Sequence, residues 1–409
     1  MPRPRLEVAD VFGRHGASFL EAYPASRTQR RTMRAIQQCR TATLGGHLDQ
    51  CDSCGHIRPS YNSCRNRHCP KCQSLERDRW LAERQTELLP VHYFHVVFTV
   101  PDHIASIALQ NKRVVYNILF RAAAETLRRI AADPKHLGAQ IGFLAVLHTW
   151  GQTLLHHPHI HCVIPGGGIS LDGSRWIGCR PKFFLPVKVL SRLFRGLFLH
   201  YLKLAFDKDQ LSFHGQLAHL SDNSAFARLL GLCRNNKWHV YAKRPFGGPA
   251  QVLNYLGRYT HRVAISNNRL LSLQDGKVAF SWKDYRTGNA NRTMTLAACE
   301  FIRRFLLHVL PDGFVRIRHY GLLSNCHRNE KLALCRQLIA ESQPVEDLSA
   351  EPVPTERLAG DWKKRYELLT GESLEMCPLC HNGRMLRVQL LEPGAQLARR
   401  FQPEVVDSS

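Results

Sequence analysis

Polar and apolar side chains alternate at residues 159–164, where His159 and His161 are separated and followed by apolar residues at the even positions. Successive side chains of a β-strand point to opposite faces of the sheet. The pattern therefore predicts a strand that anchors one face in an apolar core. Its other face presents the two histidines side by side.

Further patterns predict the elements around this strand. Residues 94–100 are rich in aromatic and β-branched side chains and predict a strand, and residues 113–132 have the periodicity of a helix. Residues 263–273 and 277–285 alternate around Asn-Asn and Asp-Gly pairs, which predicts an antiparallel meander. Strands joined by hairpins and flanked by helices predict an α+β fold.

Composition indicates the class of partner. The 409 residues include 56 Lys or Arg and 33 Asp or Glu, which gives a net charge of +23 and a pI of about 9.8. Such a surplus attracts polyanions by counterion release and predicts nucleic-acid binding without specifying a reaction. No run of about 18 apolar residues and no secretory signal stands out. We therefore expect a cytoplasmic protein without a membrane partner.

Fourteen cysteines in such a chain point to metal binding and not to disulfides. Two C-x2-C pairs, Cys51 with Cys54 and Cys69 with Cys72, have a spacing typical of tetrahedral zinc. Four more candidates would suffice for a second zinc ion: Cys39, His47, Cys64 and His68. The alternative for the two histidines is DNA contact or no ligand role. Residues 1–73 hold twelve Lys or Arg and five Asp or Glu, so we predict a zinc-binding, DNA-recognising domain in residues 1–90.

The C-terminal third has a weaker pattern. Residues 301–340 predict a basic helical extension, and the acidic, proline-bearing residues 341–360 predict a linker. Residues 361–409 form a small segment in which Cys377 and Cys380 are half of a zinc site, to be completed by Cys326, His327 or Cys335. The basic set of the extension, for which DNA-backbone contact and a solvated face are both open, is Arg303, Arg304, Arg316, Arg318 and His319.

The histidine pair is a candidate metal site in a predicted catalytic domain of residues 91–300. Imidazole suits borderline metals and also tolerates Mg²⁺ or Mn²⁺ when a substrate phosphate supplies oxygen ligands. Our first candidate for a third ligand is Gln152, and His148 and His157 are the alternatives. A His-x-His pair alone is more often structural, so its meaning depends on what accompanies it.

A tyrosine pair accompanies it. A Gly-Gly-Pro turn at residues 247–249 favours a helix start, after which Val252, Tyr255, Tyr259 and Val263 fall on one stripe. Both tyrosine hydroxyls then face the same way, about 5–6 Å apart at Cβ, and could serve one active site in turn. The alternative is an aromatic stripe in a core. Lys243 and Arg258 are candidates for holding phosphate.

These motifs resemble the transposases of the insertion-sequence-91 family, the two-tyrosine members of the HUH (histidine–hydrophobic–histidine) nucleases. The resemblance covers nearly the whole chain. The matching segments are YNSCRNRHCPKCQ at 61–73, VVFTVPDHI at 96–104, LHTWGQTLLHHPHIHCVIPGGG at 147–168, YAKRPFGGPAQVLNYLGRYTHRVAISNNRL at 241–270, FSWKDYRTG at 280–288 and EFIRRFLLHVLPDGFVRIRHYGLL at 300–323.

The resemblance implies an HUH-type antiparallel sheet and a rolling-circle transposase. Such an enzyme nicks the single-stranded DNA ends of its element, becomes joined to the 5′ phosphate through tyrosine and transfers the strand to target DNA. The alternatives are a plasmid or phage replication initiator, which shares this chemistry, and a non-catalytic, zinc-dependent DNA-binding protein.

Overall fold

The computed structural model describes residues 6–180, 182–246, 251–252, 257, 263–284, 287–288, 290–342, 367 and 373–394. Helices alternate with antiparallel sheets, so the predicted α+β class is confirmed. The helices are α1 (Val8–Ala22), α2 (Arg27–Gln38), α3 (Pro70–Gln85), α4 (Asp102–Gln110), α5 (Lys112–Ala132), α6 (Val187–Asp207), α7 (Asn223–Asn235), α8 (Ala298–Leu307) and α9 (Arg328–Ser342).

The strands are β1 (Gly46–Cys51), β2 (Ile57–Tyr61), β3 (Tyr93–Thr99), β4 (Ala139–Gln140), β5 (Gly142–Trp150), β6 (His156–Pro165), β7 (Gly167–Ser170), β8 (Trp176–Gly178), β9 (Val240–Phe246), β10 (Leu270–Gln274), β11 (Lys277–Asp284), β12 (Ala290–Ala297), β13 (Ile317–Gly321) and β14 (Met385–Leu391). The strand predicted at 94–100 and the helix predicted at 113–132 are thus confirmed as β3 and α5.

The chain divides into two compact units, each discontinuous in sequence. The terminal unit comprises residues 1–82, 265–303 and 352–409, and the central unit comprises residues 83–264 and 304–351. This division differs from the contiguous ranges expected from the sequence. The meander segment 265–303, expected in the catalytic domain, clusters with the N-terminal helices, and one of its side chains contacts the start of α1. The Val8 backbone N–H donates to Asn267 Oδ1 at 3.1 Å.

The terminal unit contains two three-stranded antiparallel sheets. One has the order β14-β1-β2, so the last described strand pairs with the first. The other is the meander β10-β11-β12, whose predicted turn lies at Asp275 and Gly276, both with positive φ. Phe280 of β11 packs edge-to-face on Phe301 of α8, with ring centroids 5.9 Å apart. The predicted antiparallel meander is confirmed, and it forms a sheet of its own that is not part of the five-stranded sheet.

The central unit is built on a five-stranded antiparallel sheet with the order β13-β5-β6-β3-β9. One face of this sheet is covered by α5 and α6. Apolar residues at alternating positions form the core on this side, among them Val96, Phe98, Phe143, Leu147, Ile160, Cys162 and Ile164. The predicted apolar face of the 159–164 strand is therefore confirmed, and its histidines point to the opposite face.

The predicted basic helical extension, residues 301–340, is only partly helical. Its middle is β13, an edge strand of the five-stranded sheet, and α9 follows with buried apolar residues that pack in the central unit. Arg318 donates to Asn117 Oδ1 at 2.6 Å and stacks over the Phe120 ring, and Arg304 donates to the Thr153 carbonyl. These two arginines have intramolecular roles. Residues 343–366, with most of the expected linker, lie outside the described residues.

Candidate active site and metal centres

Three histidines converge on the face of the core sheet opposite α5 and α6. His148, His159 and His161 each offer a ring nitrogen, and these atoms lie within 4.8 Å of one another. The register of the β5–β6 hairpin explains the convergence, because His148 is the cross-strand partner of His159 and His161 lies two residues farther along the same face. His148 and His161 are only 3 % and 8 % exposed. Backbone pairing alone therefore assembles a buried three-imidazole cluster, which we call the histidine cluster.

Neighbouring groups orient two of these rings. His159 Nδ1 donates to the His157 carbonyl oxygen at 2.7 Å, which leaves the lone pair of a neutral ring on Nε2. His161 Nδ1 lies 2.8 Å from Nε2 of His95, a buried residue of β3 whose ring is nearly parallel to that of His161. Histidines that ligate metals usually have such partners on the second ring nitrogen, which fix tautomer and orientation.

Sequence reasoning missed His95. Its position between Phe94 and Val96 in the predicted strand places it on the face opposite the core, and this is the signal that was available. That His95 lies beside His161 follows only from the register of β3 against β6, in which Val97 is the partner of His161. His95 lies one pleat away from that pair.

The structure puts His148, an alternative in the sequence analysis, into the histidine cluster as its third member. Gln152, the first candidate for that position, lies in the turn between β5 and β6. His157 supplies the carbonyl oxygen that orients His159.

The candidate nucleophiles Tyr255 and Tyr259 lie outside the described residues, as does Arg258. Lys243 lies on β9, where its Cα partner across the strands is His95. The backbone of this candidate phosphate ligand is therefore in the strand next to the one that carries His95.

A second polar network lies beneath the β5–β6 hairpin. The fully buried His308 accepts from Thr149 Oγ1 at 3.1 Å and donates from Nε2 to the Leu154 carbonyl at 3.1 Å. Burial lowers the pKa of His308 to about 3, and burial together with the charge of Lys112 lowers the pKa of His156 to about 4. Both rings are neutral at physiological pH. His308 ties both sides of the hairpin turn and thereby holds the end of the strands that carry the histidine cluster.

Eight cysteines of the terminal unit form two groups of four. The first cysteine cluster consists of Cys39, Cys64, Cys69 and Cys72. Cys72 Sγ lies 3.5 Å from Cys39 Sγ and 3.6 Å from Cys64 Sγ. Tetrahedral zinc with Zn–S bonds of about 2.3 Å requires sulfurs about 3.8 Å apart, close to these separations. The end of α2 supplies Cys39, and the start of α3 supplies Cys69 and Cys72.

Because the four thiols of the first cysteine cluster lie so close together, their pKa values shift in opposite directions. Hydrogen bonds from Cys64 and Cys69 lower the pKa of Cys39 to about 7. Hydrogen bonds with Cys39, Cys64 and Cys72 raise the pKa of Cys69. Four sulfurs at this spacing cannot all ionise without a shared cation, because each thiolate raises the cost of the next.

The second cysteine cluster consists of Cys51, Cys54, Cys377 and Cys380. This corrects the expected grouping. Cys51 ends β1 and Cys54 lies in the turn after it, and both meet the segment before β14, whereas Cys69 and Cys72 group with Cys39. In the part of the chain that the structure describes, Cys377 and Cys380 do not group with Cys326, His327 or Cys335. Cys335 is buried among apolar residues of α9, and His327 Nδ1 lies 3.1 Å from Glu330 Oε2. Among the described residues, neither His47 nor His68 joins a cluster; His47 Nε2 lies 3.5 Å from Asp49 Oδ1.

Comparison with known proteins gives the family. A family model described as "Putative transposase" matches residues 142–331, and one described as "Transposase zinc-binding domain" matches residues 11–100. A Sinorhizobium fredii protein named "Putative transposase y4qJ" is 58 % identical over 397 residues, 96 % of this chain and 97 % of that protein. The chain belongs to the insertion-sequence-91 family of transposases.

A second relative of this transposase is the "Transposase for insertion sequence element IS801" of Pseudomonas savastanoi pv. phaseolicola, 30 % identical over 330 residues, 80 % of this chain and 76 % of the relative. No solved structure matches the chain. The family means that the substrate is DNA, which agrees with the net charge of +23. It also favours the transposase over the replication initiator among the alternatives that the sequence left open.

The matched ranges fall on the two sites. The range 142–331 contains the whole β5–β6 hairpin with the histidine cluster, and the range 11–100 contains the first cysteine cluster. The N-terminal module of the transposase is thus a zinc-binding domain. None of the described helices has the length and apolarity needed to cross a membrane.

Proposed function

We propose that this transposase nicks single-stranded DNA ends at a divalent metal held by His148, His159 and His161, with Tyr255 and Tyr259 as nucleophiles. The observation that carries the proposal is the histidine cluster, whose three ring nitrogens lie within 4.8 Å of one another on one face of a rigid sheet. Its position in the segment matched by the transposase family supports this role.

The donor set fits a catalytic metal of moderate softness. Three imidazoles favour Mn²⁺ over Mg²⁺, and a substrate phosphate and water would supply the oxygen ligands that both ions need. The hydrogen bond from His159 Nδ1 to the His157 carbonyl leaves Nε2 to ligate. When bound, the metal supplies charge stabilisation to the phosphoryl oxygens of the scissile bond.

The tyrosines carry the covalent step. The Oη of Tyr255 or Tyr259 gives up its proton and attacks the phosphorus, the bond from phosphorus to the 3′ oxygen breaks, and that oxygen takes up a proton. The products are a 5′-phosphotyrosine and a free 3′ hydroxyl. One phosphodiester is exchanged for another, so a later 3′ hydroxyl can displace the tyrosine without a nucleoside triphosphate. In the helix predicted from the sequence the two tyrosines would lie one turn apart, which would allow one nucleophile for each of two strand exchanges.

Positive groups near the tyrosines would bind the phosphates, with Lys243 and Arg258 as the candidates. The zinc-binding domain would recognise the element's ends, with the first cysteine cluster as its zinc site. The partners in this scheme are the single-stranded ends of the element and a target DNA.

The test is a nicking assay with single-stranded oligonucleotides that carry the genomic ends of the element. We expect wild-type protein with Mn²⁺ to form a covalent 5′ adduct. The double variant Tyr255→Phe/Tyr259→Phe should form none, because phenylalanine keeps the ring and removes the nucleophile. An adduct on a third residue would contradict the tyrosine mechanism.

The histidines are tested in the same assay. The double variant His159→Ala/His161→Ala should lose nicking by at least about 1,000-fold, which corresponds to about 4 kcal/mol of transition-state stabilisation. His200→Ala, at an exposed position of α6, is the matched control and should nick normally. Normal nicking by the double variant would contradict a catalytic role of the histidine cluster.

A further inference from the structure

The second cysteine cluster joins segments from opposite ends of the chain. Cys51 Sγ lies 3.6 Å from Cys380 Sγ, and Cys54 Sγ lies 3.7 Å from Cys377 Sγ. These separations are far beyond the S–S bond of about 2.05 Å in a disulfide and close to the edge of a zinc tetrahedron. We propose that Cys51, Cys54, Cys377 and Cys380 bind a second zinc ion, which fastens the C-terminal segment to the N-terminal zinc-binding domain.

Each half of this site is a preformed turn that points backbone N–H groups at sulfur. The N–H groups of Ser53 and Cys54 donate to Cys51 Sγ at 3.4 Å. In the other half, the N–H of Leu379 donates to Cys377 Sγ and that of Gly383 donates to Cys380 Sγ, both at 3.4 Å. Such bonds stabilise thiolates, the form in which cysteine binds zinc.

The two halves of this site approach so closely that a glycine is required between them. A Cβ added to Gly383 would lie 2.3 Å from Cys51 Sγ and 2.7 Å from Asp52 Oδ1, so only glycine fits between the halves. The Arg384 N–H donates to Asp52 Oδ1 at 2.8 Å, and Arg58 donates to the Leu374 carbonyl at 3.1 Å. The turn at 377–380 is therefore fitted to the one at 51–54.

Most apolar side chains of the C-terminal strand are exposed, so apolar burial contributes little to holding this segment in place. Strand β14 pairs with β1, yet Leu386, Val388 and Leu390 are 53, 54 and 69 % exposed. An edge strand that buries so little apolar surface gains little from the hydrophobic effect. A metal shared by four thiolates supplies the missing free energy, because its binding is coupled to folding.

The two clusters differ in exposure, which makes the second separable by experiment. Three of the four residues in the first cluster are buried, whereas Cys54 is exposed and Cys380 is half-exposed. Zinc should therefore leave the second cluster first when a chelator is added. The zinc-binding family model ends at residue 100 and includes neither Cys377 nor Cys380.

The first test is zinc content by elemental analysis of the full chain. Wild type should bind about two zinc ions per chain, and the variant Cys377→Ser/Cys380→Ser about one, as expected for two four-thiolate sites. Cys326→Ser, at an exposed cysteine of the central unit, is the matched control and should keep both. One zinc in wild type, or two in the double variant, would overturn the proposal.

The second test uses wild type and does not depend on the variant's folding. Zinc is removed in steps with a chelator, released thiols are alkylated, and the modified cysteines are mapped by mass spectrometry. We expect Cys51, Cys54, Cys377 and Cys380 to become reactive together, before the first cluster. Release of Cys51 and Cys54 together with Cys69 and Cys72, while Cys377 and Cys380 react from the start, would refute the shared site.

Discussion

The histidine cluster and the second cysteine cluster are assembled in opposite ways. His148 and His159 face each other across one hairpin, and His161 follows on the same strand. Cys51 and Cys380 are 329 residues apart in sequence. The histidines are carried by central strands whose other face is a large apolar core, whereas β14 buries little. We therefore expect the histidine cluster to keep its geometry without metal, and the second cysteine cluster to need zinc to hold its two turns together.

This difference fits the two roles that we propose for metal in the transposase. A cluster set by backbone pairing can exchange its ion and bind substrate phosphate without loss of fold, as catalysis requires. A cluster that joins distant segments loses its structure with its ion. Substitutions and metal removal at each site test this difference.

The largest effect is expected from removal of zinc. Zinc held by cysteine clusters contributes on the order of 10–16 kcal/mol to folding. Exhaustive zinc chelation, or Cys72→Ser in the first cysteine cluster, should therefore abolish the unfolding transition of the terminal unit in calorimetry. His159→Ala/His161→Ala should leave the transition of the central unit within about 2 kcal/mol of wild type, a small change for a core of this size. A terminal unit that unfolds at its normal temperature without zinc would contradict a folding role for the cysteine-bound metal.

Elements set by local pattern were predictable from the sequence. The alternation at 159–164 predicted both the strand and the face that presents His159 and His161, because burial of one face fixes the register. The Asp275-Gly276 pair predicted a hairpin because these residue types tolerate the positive φ of a tight turn. Both residues adopt positive φ in the structure. The tyrosine pair is predicted from the same kind of pattern and stays a prediction.

What the sequence could not supply were partners that are distant along the chain. The spacing of Cys51 and Cys54 predicts half of a zinc site. The pairing of β14 with β1 determines that Cys377 and Cys380 form the other half. The packing of 265–303 with the N-terminal helices is of the same kind. In each case many long-range arrangements satisfy the same local pattern, and only tertiary packing selects one.

The next largest effect is expected at His308, which holds the β5–β6 hairpin through two hydrogen bonds. His308→Ala removes hydrogen bonds to Thr149 and Leu154 and leaves a cavity, so we expect a loss of about 2–4 kcal/mol in the free energy of unfolding of the central unit. Chemical denaturation monitors it. If protein contacts preorganise the histidine cluster, the variant should also bind Mn²⁺ more weakly. Unchanged stability would show that the hairpin needs no such support.

The same network predicts a pH dependence. In the folded state the pKa values of His308 and His156 are lowered to about 3 and about 4, against 6.5 for an ordinary histidine. Between these values the unfolded chain binds protons that the folded chain does not. The free energy of unfolding should therefore fall as pH drops below about 6.5, by up to about 1.4 kcal/mol per pH unit for each histidine. Denaturation midpoints between pH 7 and 4 measure this slope, and His308→Ala should reduce it.

A smaller effect is expected at His95, a positioning residue that orients His161. His95→Gln should weaken Mn²⁺ binding by about 10–100-fold, the usual consequence of losing a partner of a metal-binding histidine. Nicking should recover at saturating Mn²⁺, because the ligands themselves remain. A loss that saturating metal does not restore would assign His95 a direct part in the reaction.

The smallest effect is expected at Gln152, and it decides the third ligand. His148 lies opposite His159 in the hairpin, with its ring nitrogen within 4.8 Å of those of His159 and His161, whereas Gln152 lies in the turn beyond the strand. His148→Ala should therefore weaken Mn²⁺ binding by more than about 100-fold, and Gln152→Ala by less than about 3-fold, or about 0.6 kcal/mol. Titration calorimetry on the two variants measures both. Because an amide oxygen prefers Mg²⁺ more than an imidazole does, the titrations are run with both ions. A large loss confined to Gln152→Ala would move the metal toward the turn and make His148 a structural residue of the hairpin.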